Sequence, residues 1–167
     1  SLISPPSATY RTPEECLGLE YLAAESIQNG HNVDYLDAWM SGMNSEQTAE
    51  RVLKRKPDVV GISPSMDSFP AVIELVNYLR SQQYGGQIVL GGIYASFEAD
   101  SLLATIGPQI EGVLAGEADE TFQHFLESGD IRDVDGAIYM QGDGVIRNPR
   151  QESTDNLDSL PLPHRET

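Results

Sequence analysis

Ile88-Val89-Leu90-Gly91-Gly92 decides the fold of this chain. Consecutive apolar residues without alternation read as a strand buried on both faces, as inside a parallel sheet. In open α/β sheets, ligands bind at the carboxyl ends of strands, where these two glycines would lie. A residue without Cβ there lets a large group press against the backbone. Gly112-Val113-Leu114-Ala115-Gly116-Glu117, about two dozen residues on, repeats the pattern: a short apolar run, then glycine and an acid.

Outward from these strands, the chain alternates strands and helices. Leu2-Ile3-Ser4 ends a first strand. Thr12-Pro13-Glu14-Glu15 carries a capping residue, a first-turn proline and a capping-box acid, and predicts a helix running to about Asn29, stopped by Gly30. Val33 to Leu36 reads as a second strand. Asn44 or Ser45 caps a second helix that ends before Pro57. Asp58-Val59-Val60-Gly61-Ile62-Ser63 is the third strand, followed by a helix capped by Ser68 with Val72, Leu75, Val76 and Leu79 on its apolar face. Phe97 to Thr105 and Asp119 to Glu127 read as further helices, around a strand at Val113–Ala115. Five βα units with short connections predict a flavodoxin-like doubly wound α/β fold, a parallel sheet of order 2-1-3-4-5 with helices on both faces.

After Gly129 the pattern changes. Gly136-Ala137-Ile138-Tyr139-Met140 and Val145-Ile146-Arg147 flank Gln141-Gly142-Asp143-Gly144 and read as a β-hairpin. The following stretch has three prolines between Asn148 and Thr167 and few apolar anchors, which reads as a linker. The expected organisation is a Rossmann-like domain over 1–130, a hairpin extension over 131–150 and a linker over 151–167. The short first strand and the linker suggest a domain cut from a longer protein.

The chain has 167 residues, enough for one domain with one core, and 40% are hydrophobic. No apolar run approaches a membrane span, and no signal peptide precedes the first strand. A single cysteine, Cys16, excludes an internal disulfide framework and a cysteine-based metal cluster. It falls on the predicted first helix and reads as a small buried apolar group. A reducing cytoplasm is the expected compartment. The formal charge of −16 disfavours nucleic acid and anionic membranes as partners and reads as a solubilising surface.

The strand-end loops narrow the ligand. A phosphoryl-accepting receiver would carry an aspartate after the third strand, where Ser63-Pro64 stands; Asp67 lies several residues too far along. The Ser4-Pro5-Pro6-Ser7-Ala8-Thr9 loop has hydroxyls but no glycine, and its prolines remove amide donors that would cradle a flavin phosphate. No G-x-G-x-x-G fingerprint or P-loop follows any strand. What remains is small, hydroxyl-bearing and nearly uncharged: Ser63-Pro64-Ser65-Met66, Gly91-Gly92-Ile93-Tyr94 and Gly116-Glu117. Such loops suit a large, amide-rich, mostly apolar ligand. A single glycine after a buried strand is as often only a turn; three such loops at one sheet edge point to a site. His31, His124 and His164 stand apart from one another and from Cys16 in the sequence, and no nucleophile–base pair is legible.

These motifs resemble, in order and spacing, the cobalamin-binding domain that precedes the catalytic domain of B12-dependent radical S-adenosylmethionine enzymes. Pro5-Pro6 and Leu17-Gly18-Leu19-Glu20-Tyr21-Leu22-Ala23-Ala24 resemble its opening loop and helix. Asn29-Gly30-His31-Asn32-Val33 resembles its turn into the second strand, and Pro57 to Ser63 its third strand. Val89-Leu90-Gly91-Gly92 and Gly116-Glu117-Ala118-Asp119-Glu120-Thr121-Phe122 resemble its later loops. Val134 to Tyr139 and Leu157-Asp158-Ser159-Leu160-Pro161-Leu162-Pro163 resemble its closing hairpin and linker.

The resemblance implies cobalamin as cofactor and an adjoining radical SAM domain as covalent partner. That domain, in a parent methyltransferase or related enzyme, would hold a 4Fe-4S cluster and S-adenosylmethionine; its C-x-x-x-C-x-x-C triad is absent here. Other members of the wider B12-binding group carry D-x-H-x-x-G after the first strand, with a histidine that ligates cobalt. Ser4 to Arg11 contains no histidine, which implies base-off binding without a histidine ligand. The cofactor-binding residues implied are Pro5, Pro6, Ser63, Pro64, Ser65, Met66, Gly91, Gly92, Ile93, Tyr94, Gly116 and Glu117. Ser63 and Ser65 would bond the nucleotide tail as it passes the glycines. Glu117 either caps the next helix or accepts from corrin amides, and Tyr94 either meets the corrin edge or packs in the core. The alternative function is a non-enzymatic sensory or interaction module of the same fold, binding a nucleotide or a protein.

Overall fold

The computed structural model describes residues 1–7, 14–117, 119–150 and 161–165. Its strands are short and almost wholly buried: β1 (Leu2–Ser4), β2 (Tyr35–Asp37), β3 (Val59–Ile62), β4 (Gln87–Gly91) and β5 (Gly112–Leu114). They pair in parallel in the order β2-β1-β3-β4-β5, and the strand order reverses between β1 and β3. β6 (Ala137–Gln141) adds antiparallel to β5, and β7 (Gly144–Arg147) pairs with β6 through a tight turn at Gly142, φ +60°. The hairpin therefore lengthens the sheet to seven strands.

The helices are α1 (Leu17–Gln28), α2 (Ser45–Arg55), α3 (Phe69–Ser81), α4 (Gly92–Phe97), α5 (Ala99–Ile106) and α6 (Asp119–Ser128). Successive strand residues point to opposite faces, so each strand feeds two cores. Ile3, Val60, Ile62, Ile88, Leu90 and Val113 join α2, α3 and α5 in one layer. Leu2, Val89 and Leu114 join Leu19, Leu22, Phe122 and Phe125 of α1 and α6 in the other.

Three local readings are corrected. The first helix begins at Leu17: Cys16 is the N-cap, its carbonyl accepts from the Leu19 N–H (2.9 Å), and Glu14 and Glu15 precede the helix. Thr12 and Pro13 lie outside the described residues. Tertiary burial of Leu19, Leu22 and Ala23 sets this start, overriding the capping signal upstream. Second, Gly92 to Phe97 is helical, and the chain breaks at Glu98 before α5. Third, β2 lies two residues later than Val33, at Tyr35–Asp37. For α2 the capping is as the sequence reads: Asn44 Oδ1 accepts from the Gln47 N–H (2.9 Å), and Gln47 Oε1 accepts from the Asn44 N–H (3.0 Å).

Candidate functional site

Gly92 takes φ +87°, a conformation glycine adopts without steric cost, and this lets β4 pass into α4 with no intervening loop. The approach to β3 is equally restrictive. A Cβ at Gly92 would stand 2.7 Å from Ser63 Oγ, closer than real side chains come. One helical turn on, Ser96 joins two strand ends. Its hydroxyl donates to the Gly92 carbonyl (2.8 Å) and accepts from the Gly116 N–H (2.9 Å). Gly116, φ +97°, lies beneath the Arg150 guanidinium, which a Cβ there would overlap.

Below these loops, on the α1/α6 face, is a cavity of about 220 Å³. Its floor is Leu2, Gly61, Val89 and Leu114 from four adjacent strands. Its walls are Gly18, Leu19 and Leu22 of α1 and Phe122 of α6. Gly61 keeps the floor low, since a Cβ would meet Leu2 Cδ2 at 2.9 Å and the Phe122 ring at 3.4 Å. At the strand ends the lining is Ser63, Gly91, Gly92, Ile93, Gly116 and Glu117, with Glu117 its one charged group. Cavities that engulf a whole drug-sized ligand run to about 300–1,000 Å³. This one is smaller and suits a narrow, largely apolar portion of a bigger molecule whose remainder lies outside, across the strand ends.

The structure thus brings together six of the residues selected from sequence: Ser63, Gly91, Gly92, Ile93, Gly116 and Glu117. The other six do not line the cavity. Pro5 and Pro6 are buried after β1, and Pro64 is buried after β3. Ser65 is occupied locally: its N–H donates to Ser68 Oγ (2.8 Å), and its hydroxyl accepts from the Ser68 N–H (3.2 Å). Tyr94 packs in the opposite layer, its ring centroid 6.1 Å from that of Phe69. Met66 stands exposed at 72%, as do Ile93 at 80% and Phe97 at 85%, so the edge above the cavity is fringed with apolar side chains. The Glu117 carbonyl accepts from the Thr121 hydroxyl of α6 (3.4 Å), and its side chain is exposed.

Sequence reading missed Gly61, Phe122, Ser96 and Arg150. Gly61 carried a signal, since glycine inside a buried strand often marks a close approach. Cys16 is half-buried at the start of α1, with Ser63 as a hydrogen-bonding partner. Burial pushes its thiol pKa up, offset in part by hydrogen bonds with the Leu19 backbone and Ser63. His31 and His124 are exposed, and the His164 N–H donates to the Glu20 carbonyl (3.0 Å). None of the three histidines lines the cavity. Among the described residues, no cluster of three His, Cys, Asp or Glu side chains could hold a metal ion. Nor is any described helix long and apolar enough to cross a membrane.

Similar known proteins bear on the family and the fold. The anaerobic magnesium-protoporphyrin IX monomethyl ester cyclase of Synechocystis is 27% identical over 162 residues, 92% of this chain and 32% of the cyclase. The hopanoid C-3 methylase of Methylococcus capsulatus is 32% identical over 158 residues, 91% of this chain and 29% of the methylase. The chain therefore spans about a third of the length of these relatives. Among solved structures, the cobalamin-dependent S-adenosylmethionine radical enzyme OxsB, with aqua-cobalamin and S-adenosylmethionine bound, superimposes with a TM-score of 0.81 at 16% identity. That match covers 97% of this chain and 24% of OxsB. The family model of the B12 binding domain matches residues 5–126, a span that takes in β2 to β5 and every cavity-lining residue except Leu2, and the chain belongs to that family.

Proposed function

We propose that this chain is the cobalamin-binding module of a B12-dependent radical SAM enzyme, a methyltransferase or a related catalyst. It would bind the cofactor base-off with no histidine on cobalt. The observation that carries the reading is the cavity between the β3 and β4 ends: entered past glycines, apolar below, and too small for a corrin ring. A detached nucleotide tail fits that description. Its flat base would lie among Leu19, Leu22, Leu114 and Phe122, and its sugar near Ser63. The corrin would rest outside, over exposed Ile93 and Met66. No histidine occurs before His31, so the β1–α1 connection has none to offer the metal.

Bound cobalamin supplies a cobalt centre able to carry a methyl group or an electron for a step run by an adjoining domain. The residues of this chain orient that centre. Ser96 fixes the spacing of the β4 and β5 ends, Gly92 and Gly61 leave room for the tail, and the α1/α6 layer keeps water from it. A 4Fe-4S cluster and S-adenosylmethionine would belong to the adjoining domain, as would the choice of substrate. The relatives support this division, because a cyclase and a methylase share the segment seen here.

Titrating the chain with hydroxocobalamin and following corrin absorbance tests the proposal. Saturable binding at micromolar or lower concentration is the expected result, and no spectral change would defeat it. Electron paramagnetic resonance of the bound cob(II)alamin should show no nitrogen coupling from an axial ligand. A histidine-type coupling would overturn the absence of a histidine ligand, and one from the nucleotide base would overturn the base-off assignment; either leaves the binding assignment standing.

A further inference from the structure

We infer that Arg150 is the anion-binding residue of this pocket and pairs with the phosphodiester of the ligand's nucleotide tail; the inference rests on reading the cavity as the tail site. The chain carries 26 acidic and 10 basic residues, and the described arginines other than Arg150 are all paired. Arg51, Arg55, Arg80, Arg132, Arg147 and Arg165 each pair with a described carboxylate. Arg150 pairs with none among the described residues. Its one hydrogen bond to a described residue is long: Nε donates to the Ala115 carbonyl at 3.4 Å. No described acceptor meets Nη1 or Nη2.

The fold nevertheless holds this side chain in a defined place. Asn148 pins the segment after β7, its N–H donating to the Ala137 carbonyl (2.9 Å) and its Nδ2 to the Arg132 and Val134 carbonyls (2.9 and 2.7 Å). The Gly136 N–H donates to the Pro149 carbonyl (2.8 Å). Arg150 then lies along a trough made by two positive-φ glycines. A Cβ at Gly136 would stand 3.3 Å from its Cγ, and one at Gly116 would overlap its guanidinium. Arg150 is not itself part of the cavity lining, but Gly116 is, so the guanidinium that packs on Gly116 stands next to the cavity rim.

A tail entering here meets a chain of net charge −16, with Glu117 at the rim. Its phosphodiester is the one anion between corrin and base, and the Arg150 fork offers it paired N–H donors. The hairpin extension would then complete the cofactor site by bringing this cation across from beyond β7.

Two ligands and two substitutions test the assignment. Cobalamin carries the tail phosphodiester; cobinamide, a corrinoid without the nucleotide, does not. Arg150→Gln should weaken hydroxocobalamin binding about tenfold, the scale of one partly exposed charge-assisted hydrogen bond. It should leave cobinamide affinity and the melting temperature of the chain unchanged, and Arg150→Lys should recover part of the loss. Raising ionic strength should weaken cobalamin binding to the wild type more than to Arg150→Gln. Unchanged cobalamin affinity in Arg150→Gln, or an equal loss for both corrinoids, would overturn the assignment. If the wild-type chain itself binds no cobalamin, the cofactor reading has failed, a result distinct from either.

Discussion

The two faces of this sheet are built from the same strands and end differently. Toward α2, α3 and α5, the β3 and β4 residues Val60, Ile62, Ile88 and Leu90 fill the layer with branched side chains, all buried. Toward α1 and α6 the intervening positions are Gly61, Val89 and Gly91, and the layer stays open near the strand ends. The difference is one of volume. The first face is filled; on the second, Gly61 withholds a side chain that would have met Leu2 and Phe122, and Gly91 adds none at the strand end. One face stabilises the fold, and the other gives up packing to keep a cavity.

Substitutions should separate those two roles. The largest effect is expected from Gly92→Val. The valine needs a left-handed backbone conformation that β-branched residues resist, and its Cβ collides with Ser63 Oγ. Cobalamin binding should become undetectable while far-UV circular dichroism still reports the α/β fold. Retained affinity would show that the tail does not pass between the β3 and β4 ends.

Leu75→Ala, on the filled face, should do the reverse. Leu75 is fully buried on α3, and truncation there costs about 2–5 kcal/mol in unfolding free energy. Chemical denaturation would read that loss, and cobalamin affinity of the folded fraction should not move. Gly61→Ala brings the comparison to one strand. Its Cβ presses on the far end of the Leu2 side chain, which can give, so the stability change should stay at the low end of the about 1–3 kcal/mol that an added methyl costs. Affinity should fall severalfold as the cavity floor rises. A large stability loss with unchanged affinity would mean that the open face is ordinary core.

This contrast also explains what the sequence disclosed. The parallel sheet was legible because β3 and β4 are near-continuous apolar runs set in an alternation of strands and helices, the pattern of a sheet covered on both faces. The glycines at 91, 92 and 116 were legible as an edge for the same reason: each follows such a run. Gly61 and Phe122 are 61 positions apart, and they meet only because α6 crosses the face that Gly61 leaves bare. Arg150 lies well beyond the last strand-end motif, Gly116-Glu117, with the whole hairpin in between. It reaches Gly116 because β6 pairs with β5 and Asn148 anchors the chain beyond the hairpin. Local chemistry marked the strand ends, while tertiary pairing chose the walls. The Gly91-Gly92 stretch read as a loop because glycine after a buried strand usually marks a turn; the positive φ of Gly92 is what makes a loop unnecessary.

Ser96→Ala addresses the join between the two glycine-bearing ends. The change leaves the Gly116 N–H without its acceptor, a loss of about 1–3 kcal/mol if the group stays out of water. Amide hydrogen exchange at Gly116 should accelerate, with a modest fall in cobalamin affinity and little change in global stability. Protection of Gly116 equal to that in the wild type would mean that the β5 end is held in place by Arg150 and the hairpin instead.

The smallest effect expected is at Cys16, where the two faces differ in polarity as well as volume. Its thiol is half-buried next to Ser63, and burial favours the neutral form, so its pKa is raised. Alkylation by iodoacetamide should therefore show a pH midpoint above the ordinary thiol range and a slow rate at neutral pH. The sign for stability follows from the same shift. With the folded pKa above the unfolded one, this contribution is fully present below the unfolded value and is lost as pH rises through the folded value. Ser63→Ala should raise the alkylation midpoint further, because the Ser63 hydrogen bond favours the thiolate. A lowered midpoint in that variant would show that the dominant influence on Cys16 is solvent access through the cavity, and that removing the Ser63 hydroxyl has opened the very wall the tail is proposed to touch.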